Sequence, residues 1–305
     1  MSFKDVLSIV GIFVLMGLLF FYWFFPLSEI EFGSFSSGNS NFTTDNSSEK
    51  GMQFYSNMRY SESEISYRIE GCTLQKTDDM KGAFSRIGNL TILDFYPVES
   101  NEEILVTCDS KTKFDGDFFI AGEGGPTNIT QAGEFNVIRN GGIVLIRQSK
   151  CENPNVAIHE LLHALGFDHS TNSENIMYEV SQCDQEIGQD IINFINEIYS
   201  IPSLPDLAFE NASASMQGKY LDLEMTVRNL GLRSSENATV SIYADDKKIK
   251  EIETEAMPIG SGRRVNFENI LVLQTNVRQI KLSIDYDLEE LKKDNNVIRL
   301  EIKNN

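Results

Sequence analysis

The stretch HELLHALGFDH, residues 159–169, contains all three histidines of the 305-residue chain. On a helix, His159 and His163 lie one turn apart on the same face, so both imidazoles can reach one metal ion. Gly166 adopts a positive φ at little cost, which ends the helix and turns the chain back so that His169 supplies a third ligand. Three protein ligands leave one coordination position open, which is typical of catalytic zinc sites rather than structural ones.

Glu160 follows the first predicted ligand and is the candidate general base. Beside the metal, its carboxylate can take a proton from a water molecule whose pKa the zinc has lowered. A bare H-E-x-x-H pattern also arises by chance, but here a glycine and a third histidine follow at the required spacings. A site that binds zinc without turnover is the alternative, and the intact Glu160 argues against it. The pattern therefore predicts one catalytic Zn²⁺.

The segment HELLHALGFDHS, with the later Asn-Ile-Met-Tyr of residues 175–178, resembles the metzincin clan of zinc endopeptidases and, within it, the matrixin family. The resemblance implies a metzincin-like catalytic domain and a methionine in a tight turn beneath the metal. In this family the substrate peptide lies extended along an edge strand, which we expect within Asn128–Asn136. The residues that the resemblance assigns to the site are His159, His163 and His169 as ligands, Glu160 as base, and Met177 and Gly166 as structural support.

The chain departs from the matrixin pattern in three ways. Leu162 occupies a position where matrixins usually have glycine. The stretch before residue 60 has no cysteine and so lacks the usual latency device. No histidine remains for a second, structural zinc. Asp115, Asp117 and Glu123 leave calcium binding open, although solvated loop carboxylates explain them more simply.

The N-terminal run Val6–Phe25, VLSIVGIFVLMGLLFFYWFF, has no charged residue and is long enough to cross a bilayer. Residues 1–26 are therefore predicted to be a transmembrane anchor. Lys4 precedes the run, so the positive-inside rule places the N-terminus in the cytoplasm and the rest of the chain outside. The alternative is a cleaved signal peptide and a secreted protein, but no A-x-A pattern follows the run. Residues 27–59, rich in Ser, Asn and Gly, are predicted to be a flexible tether.

Four cysteines lie between the tether and residue 200. In an exported domain an even number of cysteines indicates disulfides, and four permit three pairings. Cys151 and Cys183 flank the histidine motif, which favours Cys151–Cys183 with Cys72–Cys108. Free buried thiols are the alternative, while the absence of C-x-x-C spacing disfavours a zinc–thiolate site.

Residues 60–200 are predicted to form an α/β (α+β) domain with a mixed twisted sheet and three helices. Strands are expected at Ile65–Ile69, Leu90–Phe95 and Ile104–Thr107. Two more, Phe135–Ile138 and Ile143–Ile146, flank a predicted turn at Asn140-Gly141-Gly142. Helices are expected over residues 77–87, from Asn153 or Asn155 through the histidine motif, and over residues 184–199.

Residues 205–305 alternate apolar and polar residues in segments such as LDLEMTV and IKLSIDY, which predicts an all-β, Ig-like sandwich of about seven strands. Pro205-Asp206-Leu207, the segment VRNLG at 227–231 and Asp294-Asn295-Asn296 resemble the CARDB domain of prokaryotic surface proteins. The segment contains neither Cys nor His, so no catalysis is expected there. A binding module for a cell-surface ligand and an inert spacer remain equally open.

The formal charge of −19 disfavours nucleic-acid binding, which needs clustered Lys and Arg. Residues 26–204, with 27 acidic and 11 basic residues, carry −16 of it. The sequence as a whole predicts a membrane-anchored, extracytoplasmic zinc endopeptidase that acts on protein or peptide substrates. One alternative is a catalytically inactive, zinc-binding adhesion protein that acts through its Ig-like domain. Another is a metalloenzyme that acts on something other than peptides.

Overall fold

The computed structural model describes residues 42–44, 51–111, 113–115, 118–147, 151–274 and 276–302, all within one compact unit, residues 36–305. The predicted membrane anchor, residues 1–26, lies outside these ranges, as does most of the predicted tether. Within the described ranges, no helix is both long and apolar enough to cross a bilayer. Met58 and Arg59, the last residues of the predicted tether, belong to a strand.

The first domain is a mixed sheet with helices packed against it. The strands are β1 (Met58–Tyr60), β2 (Glu64–Ile69), β3 (Asp94–Pro97), β4 (Ile104–Cys108), β5 (Lys113–Asp115), β6 (Phe118–Ile120), β7 (Gly122–Ala132) and β8 (Phe135–Leu145), with helices α1 (Leu74–Leu90), α2 (Asn155–Ala164) and α3 (Gln189–Ser200). The strand order in the sheet is β3-β2-β4-β8-β7, with β7 at one edge, and β1 pairs with the first residues of β8. The pairings in this sheet are parallel except for the antiparallel β7–β8 hairpin.

One apolar core joins this sheet to the three helices. Ile65 of β2, Ile104 of β4, Met80 of α1, Leu161 of α2 and Ile191 of α3 are all fully buried within it. Ile104 and Val106 are fully buried while Leu105 between them is not, which follows from the alternation of side chains in a strand. The helix that carries the histidine motif therefore lies in the interior of the domain. The predicted α/β architecture with three helices is confirmed.

The predicted turn at residues 140–142 is wrong, because β8 runs through it without a break. Gly141 pairs with Ile104 of β4 on one side and with Pro126 of β7 on the other. A Cβ at Gly141 would collide with the Tyr60 hydroxyl, which donates a hydrogen bond to the Ala164 carbonyl. The glycine therefore permits a close approach between elements and does not reverse the chain.

Three predicted boundaries also shift. Helix α1 begins at Leu74, ahead of the polar segment at residues 77–79 taken as its start. Strand β3 begins at Asp94, because residues up to Leu90 continue α1. Helix α3 begins at Gln189 rather than at residue 184, because Glu186 pairs with residues 174–176 instead, with the Ile176 backbone N–H donating to the Glu186 carbonyl at 2.8 Å.

The C-terminal domain is a sandwich of two sheets, with strands β9 (Leu207–Gln217), β10 (Tyr220–Asn229), β11 (Ala238–Ala244), β12 (Lys247–Thr254), β13 (Gly262–Leu271), β14 (Gln279–Asp285) and β15 (Val297–Glu301). The three-stranded sheet has the order β13-β10-β9, and the four-stranded sheet has the order β12-β11-β14-β15. Leu221, Leu223, Met225 and Val227 alternate along β10 and are buried, as expected for a strand with one face on the core. The predicted sandwich is confirmed.

Disulfides join Cys72 to Cys108 and Cys151 to Cys183, the pairing that the sequence favoured. The second closes a segment with a sequence separation of 32 that contains all of α2. Cross-linking limits the freedom of the unfolded chain, so we expect Cys151→Ser/Cys183→Ser to lower the free energy of unfolding by about 3–4 kcal/mol. Urea unfolding of the metal-free protein measures this loss, and Cys72→Ser/Cys108→Ser, with a separation of 36, is the matched control. An unchanged urea midpoint would contradict the expectation.

Candidate active site

Helix α2 presents two of the predicted ligands from a buried position. His159 is 7% exposed and His163 is 6% exposed. Nδ1 of His159 lies 2.7 Å from the Ile176 carbonyl oxygen, and Nδ1 of His163 lies 2.8 Å from that of Phe167. Since a carbonyl only accepts, both Nδ1 atoms carry the proton and donate it. The lone pair of each imidazole is therefore on Nε2.

The end of α2 brings the third histidine to the same point. The helix ends at Ala164, and Gly166 follows with φ of +97°. Its missing side chain also matters, because a Cβ there would lie 2.8 Å from the Met58 Cβ. The chain then turns back and places Nε2 of His169 3.1 Å from Nε2 of His163, which is itself 2.9 Å from Nε2 of His159.

The donor set fits a zinc ion. The Nε2 atoms of His159 and His163 are both acceptors, so neither can donate a hydrogen bond to the other across 2.9 Å. A cation between them satisfies both lone pairs, and three imidazole nitrogens suit zinc far better than calcium or magnesium. Burial lowers the pKa of His159 to about 4 and that of His163 to about 3. Both are therefore neutral at pH 7, the form that binds a metal.

Glu160 is 5% exposed and lies beside this cluster on α2. Burial, and secondarily the charge of Glu123, raises the pKa of Glu160 to about 8. The carboxyl group therefore binds a proton more readily than an exposed glutamate does, as proton-transfer groups in buried sites do.

Two glycines of β7 let the edge strand lie directly against Glu160. A Cβ at Gly122 would lie 2.6 Å from Oε1 of Glu160, and a Cβ at Gly124 would collide with the Glu160 carbonyl oxygen. Sequence reasoning did not assign either glycine to the site. The signal was present in the segment GEGG, because glycines inside a strand often mark the close approach of another backbone.

Met177 lies in a turn and is fully buried. Its backbone N–H donates to Oδ1 of Asn175 at 2.8 Å, and its carbonyl accepts from the Ser170 backbone N–H at 2.9 Å. The neighbouring carbonyl, that of Ile176, is the one that orients His159. The turn thus supports the ligand through its backbone, while the Met177 side chain fills the core.

An aromatic ring outside the motif also contacts a ligand. Phe54 stacks on His163, with 5.6 Å between ring centroids and an angle of 21° between the ring planes. The Phe54 backbone N–H donates to the Gly166 carbonyl at 3.0 Å, which holds the ring in place. Sequence reasoning assigned this segment to the tether and missed the contact.

The strand predicted to bind substrate coincides in part with the edge strand β7. The edge strand is β7, Gly122–Ala132, whereas the predicted Asn128–Asn136 also includes the hairpin turn at residues 133–134 and the start of β8. The glycines and Pro126 at the beginning of β7 do not predict a strand, because glycine and proline are depleted in strands.

For calcium, the structure provides no further support. Asp117 lies outside the described residues, and nothing is described of the Asp115 side chain. Among the residues that are described, the three histidines are the one group of His, Cys, Asp or Glu side chains arranged to hold a metal.

Comparison with known families now agrees with this geometry. The family model for matrixin, the M10 peptidases, matches residues 59–200, and the CARDB model matches residues 204–299. Residues 59–200 form a matrixin-like peptidase domain. The C-terminal sandwich is similar to CARDB domains. Comparison with curated protein sequences found no match.

Solved structures similar to parts of the chain include a CARDB domain, a domain of a cell surface protein and myroilysin. The CARDB domain of PF1109 from Pyrococcus furiosus, solved with di-metal ions, is 18% identical and covers 33% of this chain and 90% of its own, with a TM-score of 0.28. A domain of a cell surface protein from Methanosarcina acetivorans is also 18% identical and covers 32% and 88%, with a TM-score of 0.28. Myroilysin is 12% identical and covers 46% and 82%, with a TM-score of 0.32.

Proposed function

We propose that this protein is a membrane-anchored, extracytoplasmic zinc endopeptidase. The observation that carries the proposal is the convergence of three imidazole Nε2 atoms next to a buried carboxyl group, within a matrixin-like domain. His159, His163 and His169 would hold the ion. When bound, zinc supplies a Lewis acid that polarises a carbonyl group and lowers the pKa of water.

Glu160 provides the proton transfer that peptide hydrolysis requires. Its carboxylate accepts a proton from the attacking water and then passes that proton to the amine that leaves. Burial against β7 limits the positions that the carboxylate can adopt.

Strand β7 supplies a place for an extended peptide. Among the strands of the described residues it pairs only with β8, along one side, so the backbone groups of its other side are available to another strand. Because β7 passes over Glu160 at Gly122 and Gly124, a peptide paired with it is brought close to the carboxylate. The net charge of −16 on residues 26–204 favours neutral or basic peptides weakly.

The proposed anchoring rests on the sequence of the N-terminus. The uncharged run at residues 6–25 is long enough to span a bilayer, and Lys4 before it orients the chain with the catalytic domain outside. The disulfides Cys72–Cys108 and Cys151–Cys183 are consistent with an oxidising compartment.

The full chain, purified in detergent, should cleave casein or members of a broad peptide library. A strong zinc chelator should abolish this cleavage because it removes the ion from the histidines, and added Zn²⁺ should restore it. The measurement is product formation by mass spectrometry, with metal content determined in the same samples. Zinc-loaded protein that cleaves no peptide in the library would contradict the proposal and leave two alternatives, adhesion through the C-terminal domain and a metalloenzyme that acts on something other than peptides.

A further inference from the structure

The far end of strand β7 is covered by the C-terminal sandwich. A Cβ at Gly260, where φ is +69°, would collide with the Gln131 carbonyl and lie 2.7 Å from Cγ2 of Thr130. On the hairpin turn, a Cβ at Gly133 would lie 2.8 Å from the Leu230 carbonyl oxygen. Two backbones, one from each domain, therefore pack directly against each other at the β7–β8 hairpin.

Apolar side chains complete this contact. Ala132, Phe135 and Val137 of the hairpin form one buried cluster with Leu232 and Ile259 of the sandwich. Four of the five are 0–2% exposed, and Ile259 is 9% exposed. The three hairpin residues do not belong to the main core of the first domain, so their burial depends on the sandwich. An ion pair between Lys292 Nζ and the Glu134 carboxylate, at 3.1 Å, also joins the two domains.

The connection between the domains is also held in place. Arg59, 1% exposed, donates from its guanidinium to the carbonyls of Ile198 at 2.6 Å and Ile201 at 2.9 Å. The Leu232 backbone N–H donates to the Leu204 carbonyl at 2.8 Å. The residues that join α3 to β9 are thus bonded to both domains, so the connection is not a free hinge.

We infer that the C-terminal sandwich positions the substrate-binding edge strand of the peptidase domain, with Leu232, Ile259 and Gly260 as positioning residues. The inference rests on the proposed function. Strand β7 is held at its start by α2 and at its end by the sandwich, so its free backbone edge is ordered before a peptide arrives. A strand that is already ordered loses less conformational entropy on binding, which favours a lower KM.

Two interface variants of the full chain test this inference. Gly260→Ala adds a methyl group against β7, and Leu232→Asp introduces a charge into the buried cluster. Leu273→Asp, at a position of the same domain that is 74% exposed, is the matched control. We expect the interface variants to raise KM for a library-derived peptide by about tenfold or more with zinc content unchanged, and the control to behave as wild type.

Hydrogen exchange gives a readout that a merely destabilised sandwich would not reproduce. Backbone amides of residues 127–135 should exchange at least about tenfold faster in Gly260→Ala, while those of α2 keep their protection. Wild-type exchange in residues 127–135, or faster exchange with an unchanged KM, would overturn the inference. If Leu232→Asp does not fold, Gly260→Ala decides alone. If the wild-type protein cleaves no peptide, the proposed function fails, and the exchange data still show whether the sandwich orders β7.

Discussion

Replacing Glu160 with glutamine should lower kcat for peptide hydrolysis by about 10²–10⁴-fold, the usual contribution of a positioned general base. The amide has the shape of the carboxylate and fits the same space against Gly122, but it cannot accept the proton. Because Glu160 is not a proposed ligand, zinc content should stay at the wild-type level. The measurement is kcat in zinc-loaded protein, with bound zinc determined in parallel.

Glu123→Gln is the matched control for this experiment. It makes the same chemical change on β7 between the two glycines that contact Glu160, at an exposed side chain that influences Glu160 through its charge. We expect kcat to change by less than about tenfold, since screening by solvent weakens an exposed charge. Wild-type kcat in Glu160→Gln would sink the proposed role of Glu160 and require another base.

Gly124→Ala should have the second large effect. The added methyl group would collide with the Glu160 carbonyl oxygen, so β7 and α2 must move apart. We expect the overpacking to cost about 1–3 kcal/mol of stability. Activity should fall by about 10²-fold, because a shift of roughly 1 Å at a catalytic group has that effect. Urea unfolding and kcat/KM measure the two consequences.

The neighbouring glycine provides a control that differs by one position. A Cβ at Gly125 meets nothing within 4 Å, and its φ is not in the left-handed region, so Gly125→Ala should be close to wild type in both measurements. Equal losses in the two variants would mean that the loss in Gly124→Ala does not come from the contact with Glu160. Wild-type behaviour of Gly124→Ala would show that the strand does not rest on α2.

The histidine cluster could be anticipated because its geometry is local. Helical periodicity places His159 and His163 on one face, and a single glycine allows the return of His169, so eleven residues contain the whole arrangement. Strand and helix identities followed from periodicity in the same way. Their boundaries shifted by a few residues, because the ends of elements depend on contacts with the rest of the fold.

Features that join distant parts of the chain could not be anticipated. Gly141 was taken for a turn because the partner that requires a glycine, Tyr60, is about 80 residues away in the sequence. The contact between Phe54 and His163 and the contact between Gly260 and Gln131 could not be predicted for the same reason, because their partners are far apart in the sequence. A single sequence records which residues are small or apolar, but not which surface each one meets.

The buried guanidinium of Arg59 affects how the chain can be divided for experiments. A fragment that begins at Tyr60 would lack this donor and leave the carbonyls of Ile198, Ile201, Tyr60 and Ser61 without it. Each buried carbonyl left unsatisfied costs about 1–3 kcal/mol, a large part of the stability of a typical domain. The family-model match, residues 59–200, includes Arg59 but ends one residue before Ile201, so a recombinant peptidase domain must extend beyond this C-terminal border, and here the unit of homology is smaller than the unit of folding.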